Sequence, residues 1–359
     1  MRGYIVPLPK IHTWYPGKAK FSISILIPCY NEEISLQQTI NACLDQTYPV
    51  DEIIIVDDGS KDHSRDILAH YSSHIQPILL PKNMGNKSLV QQEGLKLVKT
   101  DLFLATDGDT LIDRHFVENA VGHFVDPDVV ALGGYVKSLK YNLITACREL
   151  DYTVCQDIHK QAQAVLGAIF VIPGCAGVFR TEFFKKHITF DHDTITEDLD
   201  FTYKIYKLGK KIVYEPKCIV YTQDPPTFKS YLNQLRRWAG GGWQNFKKHH
   251  DIVGMRWQHA VELSLMYIEG LLYATVLFVL PFINIRIFVI TVLLQVAFGY
   301  VFGIYAFLRR RRFDLLLCVP LYVFFAYVNA YVFLEQFVKE MILRKNNLVW
   351  FHPERKVMA

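Results

Sequence analysis

The chain has 359 residues and a formal net charge of +4, long enough for one large domain with an appendage and too mildly basic to argue for nucleic acid. Hydrophobic residues make up 51% and mean hydropathy is +0.13, but these averages conceal a split: up to about residue 250 the composition is globular, and beyond about residue 260 Leu, Val, Ile, Phe and Tyr dominate. The seven cysteines are scattered without a Cys-x-x-Cys pair, so neither a zinc site nor a disulfide framework is indicated, and a reduced, cytosolic soluble part is expected.

Residues 1–20 hold Pro, Trp and charges without an apolar core run, so no signal peptide is expected. Residues 22–28 (SISILIP) form a short apolar run that predicts a buried strand. Asn31-Glu32-Glu33 opens a helix carrying Ile34, Leu36, Ile40 and Leu44. Residues 52–56 (EIIIV) predict a second buried strand, ending in Asp57-Asp58-Gly59-Ser60. Residues 62–71 read as a helix, 75–80 as a third strand and 85–99 as a helix. Residues 102–106 read as a fourth strand ending in Asp107-Gly108-Asp109. Strands alternating with helices imply a doubly wound parallel sheet, whose ligands bind beyond the carboxyl ends of the strands. The second and fourth strands both end there in acids, so the two acidic pairs should lie near one another. Asp and Gly are also ordinary turn formers, but clustered carboxylates at a ligand edge repel one another unless a cation is present. A hard divalent cation takes oxygen ligands and is commonly shared with phosphates. Asp-x-Asp at a strand end therefore suggests a nucleoside diphosphate held through a metal.

Residues 129–135 (VVALGGY) read as a strand, and 144–164 as a long mixed helix containing Arg148, Glu149 and Asp151. Residues 168–180 are apolar with Gly174 and Gly177. Thr196-Glu197-Asp198 places an acidic pair at the start of a helical pattern, where it would also serve as a cap. Gln234-Leu235-Arg236-Arg237-Trp238 lies on a helix leading into the apolar region, and Tyr231, Leu235 and Trp238 would equally suit an amphipathic membrane anchor. His249 and His250, beside Lys247 and Lys248, are expected to be solvated or to face headgroups.

The acidic strand ends, Thr-Glu-Asp and Gln-x-x-Arg-Trp in this order resemble the processive, membrane-embedded glycosyltransferases of family 2: the cellulose, chitin, hyaluronan and poly-N-acetylglucosamine synthases. The resemblance covers roughly residues 22–250. It implies a GT-A type nucleotide-sugar domain, an amphipathic interface helix and C-terminal transmembrane helices. It assigns nucleoside contact to Asp57 or Asp58, ribose and metal contact to Asp107 and Asp109, and Mg2+ or Mn2+ as the cofactor. Lys87 is a candidate diphosphate or uridine contact, although one residue more than the family spacing separates it from Asn83. Asp198 would be the general base with Glu197 in support. Gln234, Arg236 and Arg237 would hold the departing UDP, and Trp238, Gly174 and Cys175 would meet the acceptor. The implied partners are a UDP-sugar, of the N-acetylglucosamine type by overall similarity, a polysaccharide or lipid-linked acceptor, the bilayer, and a homo-oligomer or export partner. Two other readings stand beside this synthase: a single-transfer enzyme making a glycolipid, and a non-catalytic membrane subunit retaining the nucleotide fold as a scaffold.

Three segments are long enough to cross a bilayer at about 20 apolar residues per span: 263–283, 285–308 and 315–338. Glu269 falls within the first, and an intramembrane acid is a candidate functional group. Arg309 to Arg312 mark a cytosolic loop. Three crossings then put the tail outside, whereas its Lys339, Arg344, Lys345, Arg355 and Lys356 favour the inside. Either one segment is re-entrant or interfacial, or the tail is translocated against its charge. The expected organisation is an N-terminal extension (1–21), a cytosolic glycosyltransferase domain (22–225), an interface-helix region (226–258), a transmembrane region (259–343) and a basic tail (344–359), on a multi-pass cell-membrane protein.

Overall fold

A computed structural model describes residues 21–345; the 1–20 extension and the 346–359 tail, with Arg355 and Lys356, lie outside the described residues. The first half follows the expected alternation. Strands β1 (Ile23–Cys29), β2 (Glu52–Asp57), β3 (Gln76–Leu79) and β4 (Leu102–Ala105) alternate with helices α1 (Leu36–Leu44), α2 (Ser64–His70) and α3 (Lys87–Leu97). These four strands are parallel, in the order β3-β2-β1-β4. Their apolar runs are unbroken because both faces are covered. Ile23, Ile25 and Ile27 of β1 enter one core with Ile53, Ile55, Leu102 and Leu104, while Leu26 enters the opposite core with Ile54, Val56 and Phe103.

The second half departs from a purely parallel sheet. It comprises β5 (Thr110–Ile112), α4 (Phe116–Val121), β6 (Val129–Ser138), α5 (Leu143–Val154), α6 (Lys160–Leu166), β7 (Gly177–Arg180), α7 (Thr181–His187), α8 (Glu197–Lys207) and β8 (Lys211–Thr222). The sheet continues from β4 as β7-β6-β8-β5, with β7 antiparallel to both β4 and β6, and β5 antiparallel to β8. The expected long helix over 144–164 is divided by a π-turn at Cys155–His159. There the Gln156 side chain leaves the helix for β6, accepting from Val136 N at 2.9 Å and donating to Val136 O at 2.6 Å.

Helix α9 (Phe228–His249), capped by Thr227, carries the Gln-x-x-Arg-Trp cluster. It is followed by α10 (Trp257–Leu263), α11 (Gly270–Ile283), α12 (Ile285–Arg310), α13 (Asp314–Leu317) and α14 (Val319–Phe337). Through its π-turns this region contains three helices long and apolar enough to cross a membrane, Trp257–Ile283, Ile285–Arg310 and Val319–Ile342. The arginine run is partly absorbed by docking. Arg310 pairs with Glu149 at 3.0 Å and Arg309 with Asp157 at 3.3 Å, which fastens the end of α12 to the soluble domain.

Candidate active site

Four chain segments converge at the carboxyl ends of β1, β2 and β4. After β2, Gly59 adopts a φ of +71°, and a Cβ there would meet the backbone of Lys82 and Asn83 at 2.7 Å. Only glycine lets the 82–86 loop close onto this turn. The two acids of the turn then separate in role. Asp57 is fully buried and accepts from Arg65 Nε at 2.7 Å, facing away from the cavity. Asp58 lines the cavity and accepts from Met84 N at 2.7 Å. Burial, countered by that N–H and reinforced by Asp57, raises the Asp58 carboxyl to about 6. Of the two acids that the sequence leaves as alternatives, Asp58 is the one that lines the cavity.

Asn86 caps α3, accepting from Ser88 N at 2.8 Å, which accounts for the additional residue before Lys87. Lys87 opens that helix and reaches Asp107 Oδ1 at 2.6 Å and Glu197 Oε1 at 3.0 Å. Burial works against its charge, and the two carboxylates outweigh it, holding the ammonium above the ordinary lysine range. Asp109 is buried beside Asp107, with the Thr110 hydroxyl donating to its Oδ1 at 3.3 Å.

The fourth segment is α8, whose first turn holds Glu197 and Asp198. A Cβ placed on Gly174 would lie 3.5 Å from each of Asp198 Cβ, Glu197 Oε1 and Lys87 Nζ. Gly174 therefore sits where α3, α8 and the turn before β7 meet, and its missing side chain keeps that corner open. Asp198 accepts from its neighbour Leu199 N at 2.9 Å. Burial first, and the Glu197 charge second, raise it to about 6 against the partial relief of Lys87 and Arg237. Cys175 follows Gly174 into the same wall; burial, with Asp107 second, pushes its thiol well up, so it is an inert wall rather than a nucleophile.

These groups line one cavity of about 750 Å3. Gln234, Arg237 and Trp238 form its opposite wall, and Tyr267, Asn329 and Phe333 close it on the side of the apolar helices. The buried Gln234 Oε1 has no protein hydrogen-bond partner. Arg236 does not join this wall: it turns to Glu335 of α14, at 2.8 Å. Trp238 is backed by Arg148, whose guanidinium lies 4.7 Å from the indole centroid and is fixed by Asp224 at 3.4 Å, Asp151 at 3.1 Å and the Tyr152 hydroxyl at 3.2 Å. Asp224 escaped the sequence reading because nothing local marks it as the partner of a residue 76 positions earlier. Lys160 escaped it too. It is buried in the cavity wall over the Tyr214 ring, and burial lowers its ammonium to about 8.

Two expectations outside the cavity are corrected. His249 is buried rather than solvated, and its Nε2 hydrogen-bonds with Asp200 Oδ1 at 2.7 Å, because α9 packs against α8 there. Glu269 lies on an exposed helix face and does not line the cavity. The acids Asp191, Asp193 and Asp200 cluster nearby, but Lys248 reaches all three and Lys204 reaches two, so ammonium groups already balance their charge. The Asp107 and Asp109 carboxylates, at the end of β4, are hard oxygen donors of the type that suits Mg2+ or Mn2+ beside a diphosphate.

The open mixed sheet, with its acid-bearing strand ends facing one cavity, defines a glycosyltransferase domain of the GT-A fold. A mannosyltransferase of Pyrobaculum calidifontis, solved with GDP-Man and Mn2+, shares this fold with a TM-score of 0.55 and 20% identity, over 64% of each chain. Residues 24–187 match the family model described as glycosyl transferase family 2, and the chain carries a glycosyltransferase domain of that family. Over 224 residues the chain is 30% identical to a poly-beta-1,6-N-acetyl-D-glucosamine synthase of Staphylococcus epidermidis and 28% identical to one of Staphylococcus aureus (strain COL). Each alignment covers 61% of this chain and 54% of the relative, so the chain spans about half the length of the curated relatives it matches.

Proposed function

We propose that this protein is a membrane-attached, inverting glycosyltransferase that moves a sugar from a UDP-sugar, of the N-acetylglucosamine type, onto a growing β-linked polysaccharide at the cytosolic face of the cell membrane. The observation that carries the reading is the convergence of Asp107, Lys87, Glu197 and Asp198 around Gly174, facing Gln234, Arg237 and Trp238 across one cavity. Asp58 and the 82–86 loop would receive the nucleoside. Asp107 and Asp109 would hold Mg2+ or Mn2+, which when bound supplies positive charge beside the diphosphate. Trp238, held flat by Arg148, offers an apolar face to the terminal sugar of the acceptor.

The acceptor hydroxyl oxygen then attacks the anomeric carbon of the donor. Its proton passes to the Asp198 carboxylate, the bond from that carbon to the phosphate oxygen breaks, and the electron pair leaves with UDP. Arg237 on the facing wall stabilises the charge that develops on the leaving group. Asp198 suits this role because its raised value stays below neutral: it is ionised at pH 7 and a better proton acceptor than an ordinary aspartate.

A second reading, single transfer to a lipid-linked acceptor, is favoured by one feature: Met266, Tyr267, Asn329 and Phe333 from the apolar region form part of the cavity wall. One experiment separates the readings. Purified protein in nanodiscs is given Mg2+ or Mn2+ and a panel of UDP-sugars, and UDP release and product size are measured. Release with one donor and a long polymer supports the synthase. A short, lipid-soluble product supports the glycolipid enzyme. Absence of both UDP release and UDP binding refutes a catalytic role and leaves the scaffold.

A further inference from the structure

Lys160 lines the cavity and is only 9% exposed, yet among the described residues no hydrogen bond or ion pair reaches its ammonium. Its one recorded contact is the face of the Tyr214 ring, 5.6 Å from the centroid. A buried cation is costly unless something pairs with it. The fold nevertheless goes to some length to hold this one in place. Lys160 directly follows the π-turn at Cys155–His159, and π-turns recur at functional sites. The Gln156 side chain ties that turn to Val136 of β6, and the Gln156 carbonyl accepts from the Tyr214 hydroxyl at 3.3 Å. One residue of the turn thus fixes both the start of α6 and the ring on which the ammonium rests. Cys155 and His159, on the preceding turn, also line the cavity and are exposed, so Lys160 stands beside its open part.

The neighbours of Lys160 place it relative to the chemistry. Burial lowers its ammonium to about 8, and Cys155, Cys175 and Asp198 act against that fall. Cys175 lies in turn within the influence of Asp107, Lys87 and Asp109 as well as Asp198. The wall therefore runs from the Lys87–Asp107 pair, past Cys175 and Asp198, to Lys160. Lys87 flanks Asp198 on one side, and Lys160 stands on the other.

We propose that Lys160 is an acceptor-binding residue, whose ammonium donates hydrogen bonds to oxygen atoms of the terminal saccharide of the acceptor on the side of Asp198 remote from the Lys87–Asp107 pair. This rests on the transferase reading above. A saccharide offers two kinds of surface. Its apolar ring face suits Trp238, and its edge carries hydroxyl, ring or acetamido oxygens that need donors. An ammonium has N–H donors and no acceptor, and this one has no partner within the protein to give up. A neutral saccharide edge satisfies it without neutralising the Asp198 carboxylate.

The full chain in nanodiscs tests this, with the donor that releases UDP in the panel above and a β-linked tetrasaccharide of the same sugar as acceptor. At pH 7, Lys160→Met should raise the acceptor KM about tenfold more than it lowers kcat, and leave the donor KM within about twofold. Lys160→Arg should recover most of the acceptor KM, because it keeps a charged donor. The protonated fraction of Lys160 falls from about nine-tenths at pH 7 to about one-tenth at pH 9, so the wild-type acceptor KM should rise about tenfold over that range. In Lys160→Arg it should stay flat, since a guanidinium does not titrate there. Acetylation of wild-type Lys160 by acetic anhydride, read by mass spectrometry against the exposed Lys186, should be slowed by the tetrasaccharide. If Lys160→Met does not fold, the pH comparison and the protection decide. Equal effects of Lys160→Met on donor and acceptor KM, the same pH dependence in Lys160→Arg as in wild type, or labelling that the tetrasaccharide leaves unchanged would each overturn the proposal while leaving transfer intact. Absence of UDP release from the wild type with every donor overturns the transferase reading and this inference with it.

Discussion

Replacing Asp198 by Asn separates two consequences of one buried charge. The carboxyl is raised from 3.8 to about 6, by burial first and by Glu197 second. At about 1.4 kcal/mol per pH unit, that displacement sets a ceiling of about 3 kcal/mol on what the ionised form costs the folded protein at neutral pH. Partial access to the cavity reduces it, so Asn, which removes the charge and keeps the shape, should stabilise by about 1–3 kcal/mol. The sign follows from proton binding. Between about pH 4 and 6 the folded state holds a proton that the unfolded state has lost, so the group's contribution to stability falls as pH rises through this window and is constant above it. The advantage of Asp198→Asn should therefore be full at pH 7, shrink below about 6 and vanish below about 4. Thermal unfolding in detergent at several pH values measures this. The same variant should lose UDP release by about two to four orders of magnitude while retaining UDP binding, and wild-type release should fall as pH drops through about 6. Normal turnover in the variant would refute the assignment of the base. A stability gain that persists undiminished at pH 4 would refute the argument from charge burial.

Three further outcomes are expected. Asp109→Asn should leave the fold intact and weaken metal-dependent UDP binding at least tenfold, read by calorimetry with and without Mn2+; unchanged binding would remove Asp109 from the metal set. Arg148→Met leaves Asp224 and Asp151 beside Trp238 without their cation, and should destabilise by about 3–5 kcal/mol, with much of that loss recovered in Arg148→Met/Asp224→Asn; an additive double variant would argue against the pair. Gly241→Ala drives a Cβ into the Thr196 side chain and should cost about 1–3 kcal/mol while lowering kcat, because Thr196 immediately precedes Glu197 and Asp198; full activity would show that this junction tolerates displacement.

How much of this was legible in the sequence follows from the range of the interactions involved. The parallel half of the sheet was readable because burial on both faces writes β1, β2 and β4 as unbroken apolar runs. The acids after β2 and β4 were readable because topology alone places them at one edge. The antiparallel insertion of β7 between β4 and β6 was not, since four residues, Gly177–Arg180, carry no mark of direction. Asp57 and Asp58 were indistinguishable until Arg65, on the following helix, claimed the first. Arg236 looked like Arg237 until Glu335, 99 residues away, drew it out of the cavity. His249 looked solvated because Asp200 is distant in the chain. The reversal of each expectation has the same physical cause: a charged side chain takes the partner that tertiary packing supplies, and adjacent residues on a helix point to different neighbours.

The contacts that tie α8 to α9 and α9 to α14 also bear on how the membrane and the chemistry are connected. Asn245 of α9 donates to Thr196 O at 3.1 Å, to Thr196 Oγ1 at 2.9 Å and to Gly241 O at 3.0 Å, binding the start of the base-bearing helix to the helix of Arg237 and Trp238. Gln244 accepts from Ile195 N at 3.0 Å with one side-chain atom and donates to Glu340 at 3.0 Å with another. A single amide thus joins the segment leading to Asp198 to the end of the α14 helical region. Asp200 and His249 close a second link between α8 and α9. Rotation of α9 about its axis would break these links together, so Trp238 and Asp198, the proposed acceptor contact and base, move as one body with the helix that packs along α9. The spacing between the Trp238 ring and Asp198 is then set by packing within this block, while on the membrane-attached function proposed above the depth of the block at the bilayer would set where an acceptor meets the cavity. Lipid composition should accordingly alter acceptor access more than the proton-transfer geometry at Asp198.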